Sequence, residues 1–211
     1  MKIALINGSP KAKNSASECI LNTLKAQFLN GNEITEYNFR TPKLSNDDLE
    51  LIAECNILVF AFPLYVDGIP SQLLNCLYQM EMFFKTKPIK NMTVYSLVNS
   101  GFYEGHQNAI ALEIMKNWCE KANLKWGQGI GIGGGGMLSM MAGVSDGKGP
   151  QKNLFQALKA IVSTISTGAS ADNIFISPNF PRFAYKIGAE IGWRQQGKAN
   201  GLKRNDLFVK R

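Results

Sequence analysis

The sequence predicts a doubly wound α/β fold around a five-stranded parallel sheet with strand order 2-1-3-4-5. Short apolar runs alternate along the chain with longer segments whose apolar residues recur at helical spacing, a pattern typical of parallel strands joined by right-handed helical crossovers. The first run, KIALIN, is apolar enough for a central strand, whereas residues 33–39 are polar at alternate positions, as at a sheet edge. This contrast favours the order 2-1-3-4-5 over 3-2-1-4-5-6.

Local signals mark the individual elements. Asn14 or Ser15 can cap the first helix, and Pro70 suits the first turn of the third. A glycine-rich stretch, GIGGGGMLSMMAGVSDGKGP, follows the fifth strand and is expected to be flexible. The predicted strands are 2–7, 33–39, 56–62, 93–98 and 125–132, and the predicted helices are 14–28, 46–54, 70–83, 104–123, 151–167 and 183–196. We expect one domain with a core at about residues 1–168 and a helical, basic extension at about 169–211.

Composition narrows the class of protein. The chain has 211 residues, 45% of them hydrophobic and 18% charged, which is typical of a folded domain. It has no run near the roughly 20 apolar residues of a transmembrane helix. The segment MKIALINGSP reads as a strand rather than a signal peptide, so we expect a cytoplasmic protein.

The four cysteines do not form a metal motif. Cys19, Cys55, Cys76 and Cys119 are widely spaced. That spacing excludes a zinc ribbon or an iron–sulfur cluster held by closely spaced cysteines, and we expect no metal site. The cysteines are interpreted as small buried hydrophobic residues.

The positive charge is concentrated at the C-terminus. Residues 181–211 contain eight Lys or Arg against Glu190 and Asp206, whereas the rest of the chain is near neutral. Such a tail can attract nucleic acid, anionic membrane or a phosphorylated cofactor, or simply be a solvated helix and chain end. Because it is short and lacks a repeated basic–aromatic pattern, we expect that it does not bind nucleic acid.

The loop after the first strand has the composition of a phosphate site. It reads GSPKAKNSAS and lies between a strand and a helix. A helix N-terminus offers unpaired N–H groups and partial positive charge. Hydroxyl and amide groups from Ser9, Asn14, Ser15 and Ser17, and charge from Lys11 and Lys13, add to it. The loop matches neither GxGxxG nor the Walker pattern.

Two further loops suit a flat ring. The loop after the third strand, FPLYVDGIP, is apolar, and Tyr65 in it can stack on a heteroaromatic ring. The loop after the fourth strand, NSGFYE, offers glycine, aromatic and polar groups. One phosphate loop and two ring loops indicate a mononucleotide with a planar head.

The three motifs together resemble those of the NADPH-dependent FMN reductase family, in the flavodoxin-like superfamily. The matching segments are GSPKAKNSAS, FPLYVDGIPSQLLNCL and NSGFYEGHQN, so that the resemblance covers about residues 1–135. It implies a flavodoxin-like fold with non-covalently bound FMN and NAD(P)H as co-substrate. Separately, the last predicted helix has an apolar side that is an intramolecular cover, a dimer contact or a membrane-surface helix, and we expect a homo-oligomer, most simply a dimer; this side is formed by Phe183, Tyr185, Ile187, Ile191 and Trp193. By position, the resemblance places the phosphate on Ser9, Lys11, Asn14 and Ser15, one side of the isoalloxazine against Pro63, Leu64, Tyr65 and Val66, and its other edge against Asn99, Ser100 and Gly101.

Several functions remain open at this point. The protein is expected to be an NAD(P)H-dependent FMN oxidoreductase whose acceptor is a quinone, a nitro or azo compound, a flavin or a metal ion. An FMN-binding electron carrier or redox sensor, and a binding module without cofactor, are the alternatives. No catalytic acid or base is assigned, since the flavin carries the hydride. Tyr65 and Tyr103 are candidate proton donors to an acceptor, although stacking is the commoner use of such rings, and His106 is either a substrate contact or a surface or capping residue. Glycine at 133–136 either lets the backbone approach the nicotinamide or the second substrate, or forms a flexible connection.

Overall fold

Strands and helices alternate along the chain in the order that the sequence predicts. The structure, a computed structural model, describes residues 1–87, 89, 91–138, 147–203 and 205–206. The chain divides into two compact units, Met1–Pro178 and Asn179–Arg211. The elements are β1 (Lys2–Asn7), α1 (Ala16–Phe28), β2 (Glu33–Asn38), α2 (Asn46–Ala53), β3 (Ile57–Pro63), α3 (Ser71–Thr86), β4 (Thr93–Asn99), α4 (Ala109–Lys121), β5 (Lys125–Ile132), α5 (Gly135–Leu138), α6 (Lys152–Thr167), β6 (Ile174–Ile176) and α7 (Arg182–Ala199).

The sheet is parallel throughout and has the order β2-β1-β3-β4-β5-β6. The predicted order of the first five strands is confirmed. A sixth strand, which the sequence analysis did not predict, pairs Ile174–Ile176 with the end of β5. Three residues between polar neighbours are too few to show a strand period, so this element has no signal of its own in the sequence.

Helices cover both faces of the sheet, as in a doubly wound fold. Helices α2, α3 and α4 pack on one face, around fully buried residues such as Phe60 and Met80. Helices α1 and α6 pack on the other face, around residues such as Leu5 and Ile161. Because β1, β3 and β4 are buried on both faces, the residues between their ends are mostly apolar.

The helix starts refine the sequence prediction. Ser15, not Asn14, is the N-cap of α1, where its side chain accepts a hydrogen bond from the backbone N–H of Glu18 at 3.0 Å. The helix predicted from residue 104 begins instead with a 3-10 turn, Gly105–Asn108. A Cβ on Gly105 would lie 2.3 Å from the carbonyl oxygens of Gly131 and Ile176, so this tight turn is where the chain passes close to two strands.

The glycine-rich stretch after β5 is described at both of its ends. It forms the short helix α5, and residues 139–146 lie outside the described part of the chain. In the second unit, α7 extends beyond the predicted 183–196, while tail positions 204 and 207–211 lie outside the described residues. Of the helices that the structure describes, none is both long and apolar enough to cross a membrane.

Candidate functional site

The loops after β1, β3 and β4 meet at one edge of the sheet, because these strands are parallel neighbours. The chain crosses from β2, on one side of β1, to β3, on its other side. In open parallel sheets this reversal of strand order leaves a crevice beyond the carboxyl ends of the strands, where ligands bind. The three loops singled out in the sequence therefore lie together at this edge of the sheet.

The β1–α1 loop starts from a buried anchor and then becomes exposed. The backbone N–H of Ser9 donates to the Asn7 side-chain oxygen at 3.1 Å, and the Ser9 hydroxyl oxygen accepts from the Lys11 N–H at 3.3 Å. Ser9 is buried, whereas Lys11 and Asn14 are exposed. The Lys11 ammonium donates to the carbonyl oxygen of Asn14 at 3.1 Å, and Asn14 adopts a left-handed φ of 54°. These local contacts fold the loop back on itself before α1 begins.

Several hydrogen-bond donors lie close together where this loop ends and α1 begins. Ser15 and Ser17 are both buried there, with exposures of 3% and 1%. The first-turn N–H groups of Ala16 and Ser17 have no intrahelical acceptor, since the first four N–H groups of any helix lack one. The helix dipole adds partial positive charge at the same point. This donor set fits a phosphate group.

The β3–α3 loop is closed by a tight turn. Tyr65 and Gly68 form an isolated antiparallel bridge, and the two residues between them, Val66 and Asp67, have φ values of 48° and 57°. The side chain of Val66 is fully exposed and Tyr65 is 48% exposed. Pro63 and Leu64 lie half-buried at its base. An exposed aromatic ring thus lies at the start of this turn.

The loop after β4 combines buried polar groups with an exposed glycine. Ser100 is buried, and its N–H and C=O bond to Ile132 and Gly135 at 3.0 and 2.7 Å. Gly101 is exposed, and a Cβ there would have no atom within 4 Å. Phe102 is 52% exposed. A flat ring can therefore approach the backbone at Gly101 closely.

Asn99 joins the three loops. Its side-chain amide nitrogen donates to the Ser17 hydroxyl oxygen at 2.8 Å and to the carbonyl oxygen of Phe62 at 3.0 Å. Its own carbonyl oxygen accepts from the Leu64 N–H at 2.8 Å. The structure thus brings the predicted residues Asn99, Ser17 and Leu64 into one hydrogen-bonded group.

Two positioning residues were missed in the sequence. Asn7 holds Ser9, as described above, and the side chain of Gln72 donates to the carbonyl oxygen of Gly8 at 3.0 Å. The sequence does carry a signal for the first: a polar Asn ends an apolar strand at Asn7, and again at Asn99. Gln72, near the start of α3, has no such signal.

The remaining candidates have structural contacts. His106 is exposed and lies against the Phe175 ring, with the centroids 4.8 Å apart. The Tyr103 hydroxyl donates to the carbonyl oxygen of Pro178 at 3.4 Å. Gly133 is packed against the backbone, whereas Gly136 is open. The burial predicted for the cysteines is confirmed for Cys55, Cys76 and Cys119, and Cys19 is intermediate.

Sequence comparisons give no match, either to a protein-family model or to a curated protein. Solved structures do match. An NAD(P)H:quinone oxidoreductase from Methanothermobacter marburgensis has a TM-score of 0.57 at 12% identity, over 78% of this chain and 96% of that one. An NADH:FMN oxidoreductase in its apo form gives 0.57 at 14% identity, over 81% and 90%. A short-chain flavodoxin associated with a bacterial microcompartment gives 0.52 at 13% identity, over 81% and 100%.

These likenesses concern the arrangement of strands and helices, because so few residues are identical. Flavin oxidoreductases and a flavodoxin resemble this chain to a similar degree, so the fold does not choose between their activities. The chain therefore has the flavodoxin-like fold that its three loop motifs predict.

Proposed function

We propose that the protein binds one FMN non-covalently and uses it to pass hydride from NAD(P)H to a small acceptor. The observation that carries this proposal is the group of buried hydroxyls, Ser9, Ser15 and Ser17, around the N-terminus of α1, beside an edge with exposed aromatic rings. Two of the solved structures with this fold are named as NAD(P)H- or NADH-dependent oxidoreductases, which supports the same reading.

One set of the proposed site residues would bind the phosphate of FMN. Ser9, Lys11, Asn14, Ser15 and Ser17 would bind the phosphate, since hydroxyl, amide and ammonium groups are strong partners for a dianion. Ser9, Lys11 and Asn14 lie on the β1–α1 loop, Ser15 is the N-cap of α1, and Ser17 lies in its first turn.

The ring would lie between the other two loops. Pro63, Leu64, Tyr65 and Val66 would form one wall and Ser100 and Gly101 the opposite edge, where the space beside Gly101 would let the ring lie close to the backbone. Bound FMN supplies the hydride acceptor, and the protein supplies position and electrostatics. The exposed Tyr65 and Phe102 would border the place where a nicotinamide and then an acceptor stack.

The acceptor is a quinone, a nitro or azo compound, a flavin or a metal ion as substrate, and either NADH or NADPH is the donor. The proposal includes a homo-oligomer, most simply a dimer, and a cytoplasmic location, both of which remain predictions from the sequence. It includes no nucleic-acid partner.

Cofactor binding and turnover are tested separately. Apo-protein titrated with FMN should quench flavin fluorescence at about one FMN per chain. The holoprotein, mixed anaerobically with NADH or NADPH in a stopped-flow instrument, should lose its visible flavin absorbance directly, and a quinone or oxygen should restore it.

The outcomes separate the candidate functions. Quenching without bleaching by either nucleotide, but with bleaching by dithionite, would reject the oxidoreductase and leave an electron carrier or redox sensor. No quenching at all would leave a binding module without flavin. If one open ring face serves donor and acceptor in turn, initial rates should give parallel double-reciprocal lines.

A further inference from the structure

The hydrogen-bond partners of the Asn99 side-chain amide determine which of its two terminal atoms is the nitrogen. It contacts the Phe62 carbonyl oxygen and the Ser17 hydroxyl oxygen through the same side-chain atom, at 3.0 and 2.8 Å. A carbonyl oxygen can only accept, so the atom facing it must be the NH₂ group. The alternative amide flip would place two acceptors against each other. Both protons of the Asn99 amide are thereby engaged.

This orientation also sets the direction of the Ser17 hydroxyl. Because Ser17 accepts from Asn99, its own proton points away from that amide. Among the residues that the structure describes, no protein acceptor receives this proton, although Ser17 is only 1% exposed. Ser17 is the second residue of α1, at the head of the β1–α1 loop.

We infer that Asn99 is a positioning residue that makes Ser17 an obligate hydrogen-bond donor to the FMN phosphate. The inference rests on the proposed function and assigns Asn99 a role different from the ring-edge contact that the family resemblance implies. Without the Asn99 amide, the Ser17 hydroxyl loses the donor that fixes its orientation.

The burial of Asn99 supports this role. Asn99 is 4% exposed, and its side-chain oxygen lies 3.1 Å from where a Cβ of Gly135 would be. The carbonyl oxygen of Asn99 holds the Leu64 N–H at 2.8 Å. The same residue thus connects the first turn of α1, beside the phosphate loop, to the backbone of the predicted ring wall.

The test compares FMN with riboflavin, which lacks the phosphate. Asn99→Asp has nearly the same shape, but its carboxylate accepts from Ser17 and turns the hydroxyl proton away from the phosphate. The ratio of the FMN Kd to the riboflavin Kd should rise about 10- to 100-fold, as for loss of one hydrogen bond to a charged group.

Asn108→Asp is the matched control. Asn108 is fully buried at the same end of the sheet, and its amide donates to the carbonyl oxygens of Gly105 and Ile132 at 2.9 and 3.2 Å. It has no hydrogen bond to Ser17, so its substitution should weaken both ligands alike. An unchanged ratio in Asn99→Asp, or an equal change in Asn108→Asp, would overturn the inference.

A double-mutant cycle separates action through Ser17 from direct charge repulsion. Ser17→Ala alone should raise the ratio to a similar extent, and Asn99→Asp in the Ser17→Ala background should add little. Additive effects would mean that the new carboxylate repels the phosphate directly, and would overturn the role of Ser17.

A measurement on the apo-protein does not depend on any ligand or on the stability of Asn99→Asp. In NMR spectra, Ser17→Ala should shift one of the two side-chain amide protons of Asn99 and leave the other, bonded to Phe62, nearly unchanged. Two unshifted protons would overturn the inference. If the wild-type protein does not bind FMN, the proposed function fails; if it does and the Kd ratio does not respond, only the role of Asn99 fails.

Discussion

Tyr65 and Gly68 exchange two backbone hydrogen bonds of 3.0 Å each and so close a two-residue turn at the carboxyl end of β3. Both central residues, Val66 and Asp67, have positive φ, as in a type I′ turn, which usually carries Asn-Gly. For a β-branched residue this conformation is strained. Strain held in a loop that the sequence assigns to ligand binding is consistent with pre-organisation of its wall.

Relief of this strain should stabilise the protein. Val66→Asn keeps a residue that tolerates positive φ and removes the β-branch, and because Val66 is fully exposed no burial is lost. We expect the free energy of unfolding to rise by about 1 kcal/mol, measured by urea denaturation at constant m-value.

Val66→Ile is the control for this prediction. It is also β-branched and would stay strained, so its stability should equal that of the wild-type protein. If Val66→Ile stabilises as much as Val66→Asn, the turn is not the source of the effect.

The phosphate loop gives a second prediction. Replacing Ser9 and Asn14 with Ala should weaken FMN far more than riboflavin, since each lost hydrogen bond to a charged phosphate costs about 1.5–3 kcal/mol. Isothermal titration of the two ligands measures the difference.

Asn123→Ala separates the loss of a phosphate contact from backbone strain. Asn123 is exposed and has a φ of 55°, almost the same as the 54° of Asn14, but it lies between α4 and β5, where the amino ends of the strands meet. It should reduce stability like Asn14→Ala and leave the FMN affinity unchanged. Equal weakening of FMN and riboflavin by the Ser9 and Asn14 changes would place the phosphate elsewhere.

The sequence predicted these loops because the residues that end strands and begin helices act locally. Gly8 after an apolar run, Ser15 before a helical one and Pro70 at a helix start each act on neighbouring residues, so their positions were found to within a few residues. The 2-1-3-4-5 order followed from the contrast between an apolar first strand and a polar second one.

Long-range polar contacts had no such signal. Asn99 and Ser17 are 82 positions apart, and only the assembled sheet brings an amide at the end of β4 onto the first turn of α1. The same holds for β6, whose three residues become a strand because β5 offers an open edge beside them. The 3-10 turn at Gly105 likewise depends on contact with β5 and β6.

Buried thiols should make the protein less stable at alkaline pH. Burial raises the pKa of Cys76 to about 11, and burial is also the largest cause that raises the pKa of Cys55 to about 11. In the unfolded chain a thiol loses its proton near pH 8.5, roughly. Between these two pH values the unfolded state binds fewer protons, so stability falls by up to about 1.4 kcal/mol per pH unit for each thiol.

The prediction is checked by urea denaturation from pH 7 to 11 in a reducing buffer. Cys76→Ala should reduce the slope above about pH 8.5 by the share of one thiol. It should leave the slope below that pH unchanged, although the variant is less stable at every pH because of the cavity. An identical slope in wild-type protein and variant would show that Cys76 titrates normally in the folded state.

The run of glycines after β5 gives the last prediction, because its members differ in their surroundings. A Cβ on Gly133 would lie 2.1 Å from the carbonyl oxygen of Tyr103, and backbone cannot move aside cheaply, whereas a Cβ on Gly136 meets nothing within 4 Å. Gly133→Ala should therefore destabilise the protein by about 3 kcal/mol, as overpacking does, and Gly136→Ala, inside α5, should be neutral or stabilise it by less than about 1 kcal/mol.

If backbone approach to the nicotinamide occurs in this run, Gly136 is the position with room for it, so Gly136→Ala should raise the KM for NAD(P)H while the FMN affinity stays constant. Equal stability of the two variants would mean that the close approach of β5 to the β4 loop is not rigid; an unchanged KM in Gly136→Ala would assign the nicotinamide to the exposed rings of Tyr65 and Phe102 alone.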